Sequence, residues 1–142
     1  MSIYAKQRKW RYVLAGFLAV FGIATLKEGA AVLFFDSVAR AEAGNYVPFV
    51  LWFNFLAGFA YVVVALAIAR GAEWGRSGAA FIAGATAIVF VAFGLHILSG
   101  GLYEMRTLIA MSLRTSIWLF AVFALHRWAS KAPVATSINR VP

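Results

Sequence analysis

The chain contains no cysteine, and among its 142 residues there are only five acidic residues, two histidines and three prolines. Without cysteine there are no disulfides, no thiolate metal sites and no thiol redox chemistry, and a quinone-linked disulfide-forming activity goes with them. The two histidines cannot jointly ligate one haem. His96 falls near one end of its apolar stretch and His126 near the opposite end of the next, most of a membrane thickness apart. No carboxylate pair faces another across a cleft, no glycine-rich loop joins a strand to a helix, and no zinc-protease helix occurs. Gly100 and Gly101 read as a turn, not a phosphate cradle. Catalysis would therefore need a cofactor carried by a neighbouring subunit, and the sequence leans away from an enzyme.

Charge is scarce as well. Charged residues make up 13% of the chain and hydrophobic residues 63%, whereas soluble domains carry roughly a quarter charged and about half apolar. A core this small cannot absorb that much apolar surface, so lipid must. A net charge of +8 would suggest nucleic acid in a soluble protein. Here it raises instead the question of which membrane face holds the basic residues, and no nucleic-acid partner is expected.

Four apolar stretches, at about 12–35, 47–69, 77–98 and 107–125, each approach the roughly 20 residues that cross about 30 Å of hydrocarbon. Short polar segments at 36–46, 70–76 and 99–106 join them, and helices joined so tightly are antiparallel neighbours. The fold class expected is all-α: an integral membrane antiparallel four-helix bundle, one transmembrane domain over 1–128 with a flexible cytoplasmic tail over 129–142. A β-barrel would need alternation at period two, which the run 61–69 lacks. Basic residues before the first stretch and Ala-Arg-Ala and Ala-Glu-Ala at 39–43 resemble a cleaved signal, but the apolar region far exceeds the roughly 7–15 residues such signals use.

Lys6, Arg8, Lys9, Arg11, Arg70, Arg76, Arg127, Lys131 and Arg140 fall on one side, and Arg40 and Arg106 on the other. Basic residues in short loops stay cytoplasmic, so both termini are expected on the cytoplasmic side of the membrane. Trp10, Tyr12, Trp74 and Trp128 then mark the inner boundary, and Tyr46 and Tyr103 the outer one. The loop with Arg70, Glu73, Trp74 and Arg76 suits anionic headgroups or a partner protein.

Helices in lipid associate through small residues that admit close approach. The candidates are Ala15, Ala19, Gly22 and Gly29; Ala57, Gly58 and Ala65; and Ala79, Ala83 and Ala87 beside Ala80 and Gly84. Ordinary packing within the bundle is the simpler use for them than a dimer seam. Phe17, Phe21, Phe34, Phe90 and Phe93 are expected to face lipid or fill gaps rather than to build a cofactor box.

Ionisable groups at membrane depth are costly and mark functional candidates. Lys27 and Glu28 interrupt the first stretch, Asn54 the second and Arg114 the fourth. At 1.5 Å per residue, Glu28, Asn54 and Arg114 each lie roughly 10 Å below the outer interface. Three helices carrying polar groups at one depth predict an inward-facing layer in which Glu28 pairs with Arg114 and Asn54 is a hydrogen-bond neighbour. Above it, His96, Tyr103, Glu104, Arg106 and Thr107 crowd the outer loop, and Tyr103, Thr107, Ala110 and Arg114 share one helix face. The arrangement describes either an outward-opening vestibule or an ion pair that only locks the bundle. His96 is read as an interfacial side chain, with ligation or proton transfer as the alternative; His126, followed by Arg127 and Trp128, reads as an anchor.

The four-span order, Gly22 followed by Leu26 and Lys27 near the outer part of the first helix, and the Ala57-Gly58 pair in the second resemble the DoxX-like families of small four-helix bacterial inner-membrane proteins. Glu28, and Tyr103-Glu104-Met105-Arg106-Thr107 with Arg114, do not belong to that pattern. The resemblance implies a bacterial cytoplasmic (inner) membrane and association with membrane redox systems more than a reaction, and it carries over no site residue. Two functional readings follow. One is a non-catalytic accessory or structural subunit that packs against other membrane-protein subunits or a second copy. The other is a small transporter or ligand-binding protein whose vestibule takes a proton, an anion or a quinone-like headgroup. No cofactor of its own is expected; a quinone or a lipid is the candidate occupant.

Overall fold

A computed structural model describes residues 3–35 and 37–130. Among them every regular element is helical: α1 (Ile3–Ala30), which runs on into a π-helical turn (Ala31–Phe35), a short α2 (Ser37–Glu42), and the long α3 (Pro48–Arg70), α4 (Trp74–Leu98) and α5 (Met105–Ala129). Among the described residues, four helices are long and apolar enough to cross a membrane: Ala5–Phe35, Pro48–Arg70, Trp74–Leu98 and Met105–Ala129. Large apolar side chains cover the outside along their whole length, among them Phe17, Ile23, Phe59, Phe81, Ile88 and Phe120, a surface suited to lipid and not to water.

Local chemistry sets the helix ends. Pro48 opens α3 at a position where its missing N–H costs nothing. Gly71, at φ 72°, closes it: the Ala72 N–H reaches the Ala67 carbonyl and the Gly71 N–H the Ile68 carbonyl, each at 3.0 Å, the pairing of a Schellman cap. The end of α4 repeats the pattern, with Gly101 N–H to the His96 carbonyl at 2.9 Å and Gly100 N–H to the Ile97 carbonyl at 3.0 Å. The segment 36–46, expected as a plain polar connection, contains α2. Six residues are too few to show periodicity, and a tertiary contact holds the turn in place. The Arg40 guanidinium donates from Nε to the Val32 carbonyl and from Nη2 to the Leu33 carbonyl, both at 3.1 Å, so α2 folds back over the end of the π-helical turn. α5 ends at Ala129, the first residue of the expected tail; 131–142 lie outside the described residues.

α1 packs along α3 more closely than any other two helices pack. A Cβ added to Gly22 would lie 2.9 Å from Tyr61 Cβ and 3.1 Å from the Gly58 carbonyl oxygen; one added to Gly58 would lie 2.7 Å from Leu26 Cγ and 3.2 Å from the Gly22 carbonyl oxygen. Glycine at both positions lets the backbones touch. Gly29 meets Phe55 farther along, so numbers rise on α1 as they fall on α3 and the pair is antiparallel. α3 packs on α4 and α4 on α5, while α1 and α5 make no comparable approach.

The core has two apolar clusters. One holds Leu18, Tyr61, Val64, Ile68, Ile82, Trp118 and Leu125 with the alanines between them; the other holds Val47, Val50, Phe93 and Met111. Between the two, in each of the four long helices, sits a buried polar residue: Thr25, Asn54, Thr86 and Arg114. Of the phenylalanines expected to face lipid or fill gaps, Phe17 and Phe34 are exposed and Phe93 is fully buried.

Candidate functional site

The gap between α1 and α5 widens, above the polar level, into a cavity of about 510 Å³. α1 contributes Ala24, Thr25, Lys27 and Glu28, α3 contributes Val50, Leu51 and Asn54, α5 contributes Thr107, Ala110 and Arg114, and Ala39 and Glu42 of α2 form a roof with Ala43 and Tyr46. Glu28 and Ala24 share one stripe of α1, and Thr107, Ala110 and Arg114 one stripe of α5, because residues three and four apart lie on the same helix face.

Arg114 stands at the base. Its side chain is 9% exposed, and its Nη2 lies 3.9 Å from Oε2 of Glu28, whose side chain is 73% exposed. That separation is long beside the roughly 2.7–2.9 Å of a charge-assisted hydrogen bond. The two groups attract without being fastened together, and the Arg114 Nε has no hydrogen-bond partner. Asn54 is 8% exposed and lines the same cavity. Its Oδ1 has no partner either, so the hydrogen bond expected between Asn54 and the pair does not form.

Lys27, Glu104 and Arg106 also line the cavity. Glu104 is engaged: its Oε1 accepts the Asn45 N–H at 2.9 Å, tying the α4–α5 connection to the one before α3. His96 and Tyr103, grouped with these residues on sequence grounds, are not among those lining it. The turn at Gly100 and Gly101 folds the His96 ring back, where Nε2 lies 3.1 Å from the Leu102 carbonyl oxygen and the ring meets Phe49 edge-on. Tyr103 packs on Phe93 at 6.2 Å between ring centroids. Among the described residues no group of three or more His, Asp or Glu side chains is arranged to hold a metal ion.

Beneath Arg114 lies a feature the sequence reading passed over. The Tyr61 hydroxyl sits against the Thr86 hydroxyl and the Trp118 indole, with the Tyr61 and Trp118 rings 4.9 Å apart. All three residues are fully buried. Their polar atoms nevertheless lack hydrogen-bond partners, an arrangement that buried hydroxyls and indoles ordinarily avoid. Asn54 and Tyr61 are seven residues apart and Arg114 and Trp118 four, so helical spacing carried a signal that these belong together. Below this point Val64, Ala65, Ile68, Ala79, Ile82, Ala83, Ala121 and Leu125 pack together in one apolar cluster.

A cavity lined by a buried guanidinium and an exposed carboxylate can hold a polar headgroup. Among the described residues, the apolar cluster lies between it and the opposite end of the bundle. No protein-family profile, curated protein or solved structure matches this chain.

Proposed function

We propose that this chain is a four-span protein of the bacterial cytoplasmic membrane, with both termini inside, that binds the polar headgroup of a membrane-soluble ligand in the cavity between α1 and α5. The observation that carries the reading is Arg114: a guanidinium buried at membrane depth, lining a cavity of about 510 Å³ and held only by a distant, exposed carboxylate. Burying such a charge costs several kcal/mol on insertion scales. A lock would bring its partner close and bury it too, whereas Glu28 is left exposed. The closed apolar block under Tyr61 favours binding over transport through the bundle. The asymmetry of basic residues supports the orientation, which puts the mouth in the half of the bilayer away from the cytoplasm.

The test is thermal unfolding of the purified protein in detergent with and without a total lipid and quinone extract of bacterial membranes. The wild type should be stabilised by the extract and the Arg114→Leu variant should not. Equal stabilisation of both would remove the site.

A second reading, the accessory subunit of a larger membrane or redox assembly, is favoured by small residues the fold leaves unused. Ala80 and Gly84 of α4 are exposed, and a Cβ on Gly16, Gly84 or Gly94 would meet no atom within 4 Å. Such positions admit another helix closely, and the DoxX-like layout agrees with that role. Gentle extraction that yields the chain alone and monodisperse would count against it.

A further inference from the structure

We infer that the occupant of the cavity is an amphipathic acid, whose anionic oxygen headgroup displaces Glu28 from Arg114 and whose apolar tail lies along Phe17, Phe21 and Ile117. The inference rests on the ligand-binding reading above and narrows it to one chemical class, a carboxylate or phosphate on a long apolar chain.

Two buried side chains point to a headgroup. Arg114 and Asn54 are each more than nine-tenths buried, both line the cavity, and each keeps a polar atom without a partner. A guanidinium presents a planar fork that matches two oxygens of one acid, yet Glu28 approaches it at 3.9 Å and through a single nitrogen. Since the Glu28 side chain is 73% exposed, moving it aside costs little buried contact. A docked acid would leave the charge count at Arg114 unchanged while improving its geometry. A neutral headgroup would leave the buried cation dependent on its distant partner. Three cations, Lys27, Arg106 and Arg114, line the cavity against three carboxylates, Glu28, Glu42 and Glu104. The lining is balanced in charge, so an incoming anion takes the place of Glu28 at Arg114.

The tail follows from the helices. Phe17, Phe21, Ala24 and Glu28 recur at helical spacing on α1, as Thr107, Ala110, Arg114 and Ile117 do on α5. Ala24 and Glu28 of the first stripe and Thr107, Ala110 and Arg114 of the second line the same cavity. Below the ion pair the α1 stripe is aromatic: Phe17 and Phe21 stack at 6.3 Å, and Phe21 stacks on Tyr61 at 6.0 Å. Phe17 is exposed, and Phe21 and Ile117 are partly buried against the core. A chain leaving the headgroup site in that direction would meet these apolar side chains next.

Direct binding of radiolabelled hexadecanoate, hexadecyl phosphate, hexadecanol and a quinone with a saturated tail, measured on the protein in maltoside micelles, tests this. At least one acid should bind about tenfold more tightly than the alcohol and the quinone. Glu28→Gln, which removes the competing carboxylate, should tighten the acid several-fold, and Arg114→Gln should abolish its binding. Arg114→Lys keeps the charge and loses the fork, so it should weaken the acid even where the glutamine variant fails to fold. A preference for hexadecanoate would identify free fatty acids as the source, and one for hexadecyl phosphate a lipid phosphate. If the alcohol or the quinone binds as well as the acids and Glu28→Gln changes nothing, the acid inference is overturned, while loss of that binding in the Arg114 variants would keep the cavity as the site. If no probe depends on Arg114, both fail.

Discussion

Arg114 and Glu28 meet at 3.9 Å from opposite extremes of exposure, the guanidinium enclosed and the carboxylate open. An ion pair built that way contributes little to holding a bundle together, since an exposed partner loses most of its attraction to solvent and to side-chain entropy. Arg114→Met, close in volume and apolar, should therefore leave the melting temperature in detergent unchanged or raised, and Glu28→Gln should cost less than about 1 kcal/mol. Collapse of Arg114→Met on size exclusion would make the pair an architectural lock after all.

The contact between α1 and α3 should tolerate no added carbon at Gly22. Gly22→Ala puts a methyl 2.9 Å from Tyr61 Cβ, an atom fixed to the α3 backbone, and the expected loss is about 1–3 kcal/mol. Gly84→Ala, where no atom lies within 4 Å, should be neutral or stabilising by up to about 1 kcal/mol. Thermal scans of the two variants side by side check the contrast; equal gains would mean that helix propensity and not the close approach decides.

Tyr61 carries a buried hydroxyl without a partner. Tyr61→Phe removes that unmatched group while keeping the ring on Trp118 and Phe21, so stability should hold or rise by about 1 kcal/mol. A clear loss, measured by the same scans, would show that the hydroxyl bonds to something other than the chain itself.

Arg40 ties α2 to the end of the π-helical turn through two carbonyls. Arg40→Ala should loosen the cavity roof without unfolding the bundle. Amide hydrogen exchange should then speed up across 31–43, while protection of 54–68 stays as in the wild type. Unaltered exchange at 31–43 would refute the strap.

The four long helices were readable from apolar run length, because a membrane crossing leaves a signal about twenty residues long that few substitutions blur. Counting along the helices also put Glu28, Asn54 and Arg114 at one depth, and all three line the cavity. What counting could not supply was rotation about each helix axis and the path of the turns. Asn54 shares the level but not the bond expected of it. His96 and Tyr103 sit near the right height, yet the positive φ of Gly100, 85°, turns the chain so that they pack on Phe49 and Phe93 instead. Tyr61, Thr86 and Trp118 were hidden for a different reason: an aromatic or a threonine within an apolar run is unremarkable by composition, and only assembly shows that three polar atoms converge. α2 was invisible because its position depends on one arginine reaching back across eight residues.

The hydrocarbon plug beneath Tyr61 has an electrical consequence. An energised membrane stores roughly 2.3 kcal/mol for each elementary charge moved across 100 mV, and any water-filled thread through the bundle would dissipate it. With Ile68, Ile82, Ala121 and Leu125 packed together beneath Arg114, a charge crossing the slab along the bundle would meet an apolar barrier there, so a buried guanidinium on one side of it need not open a leak.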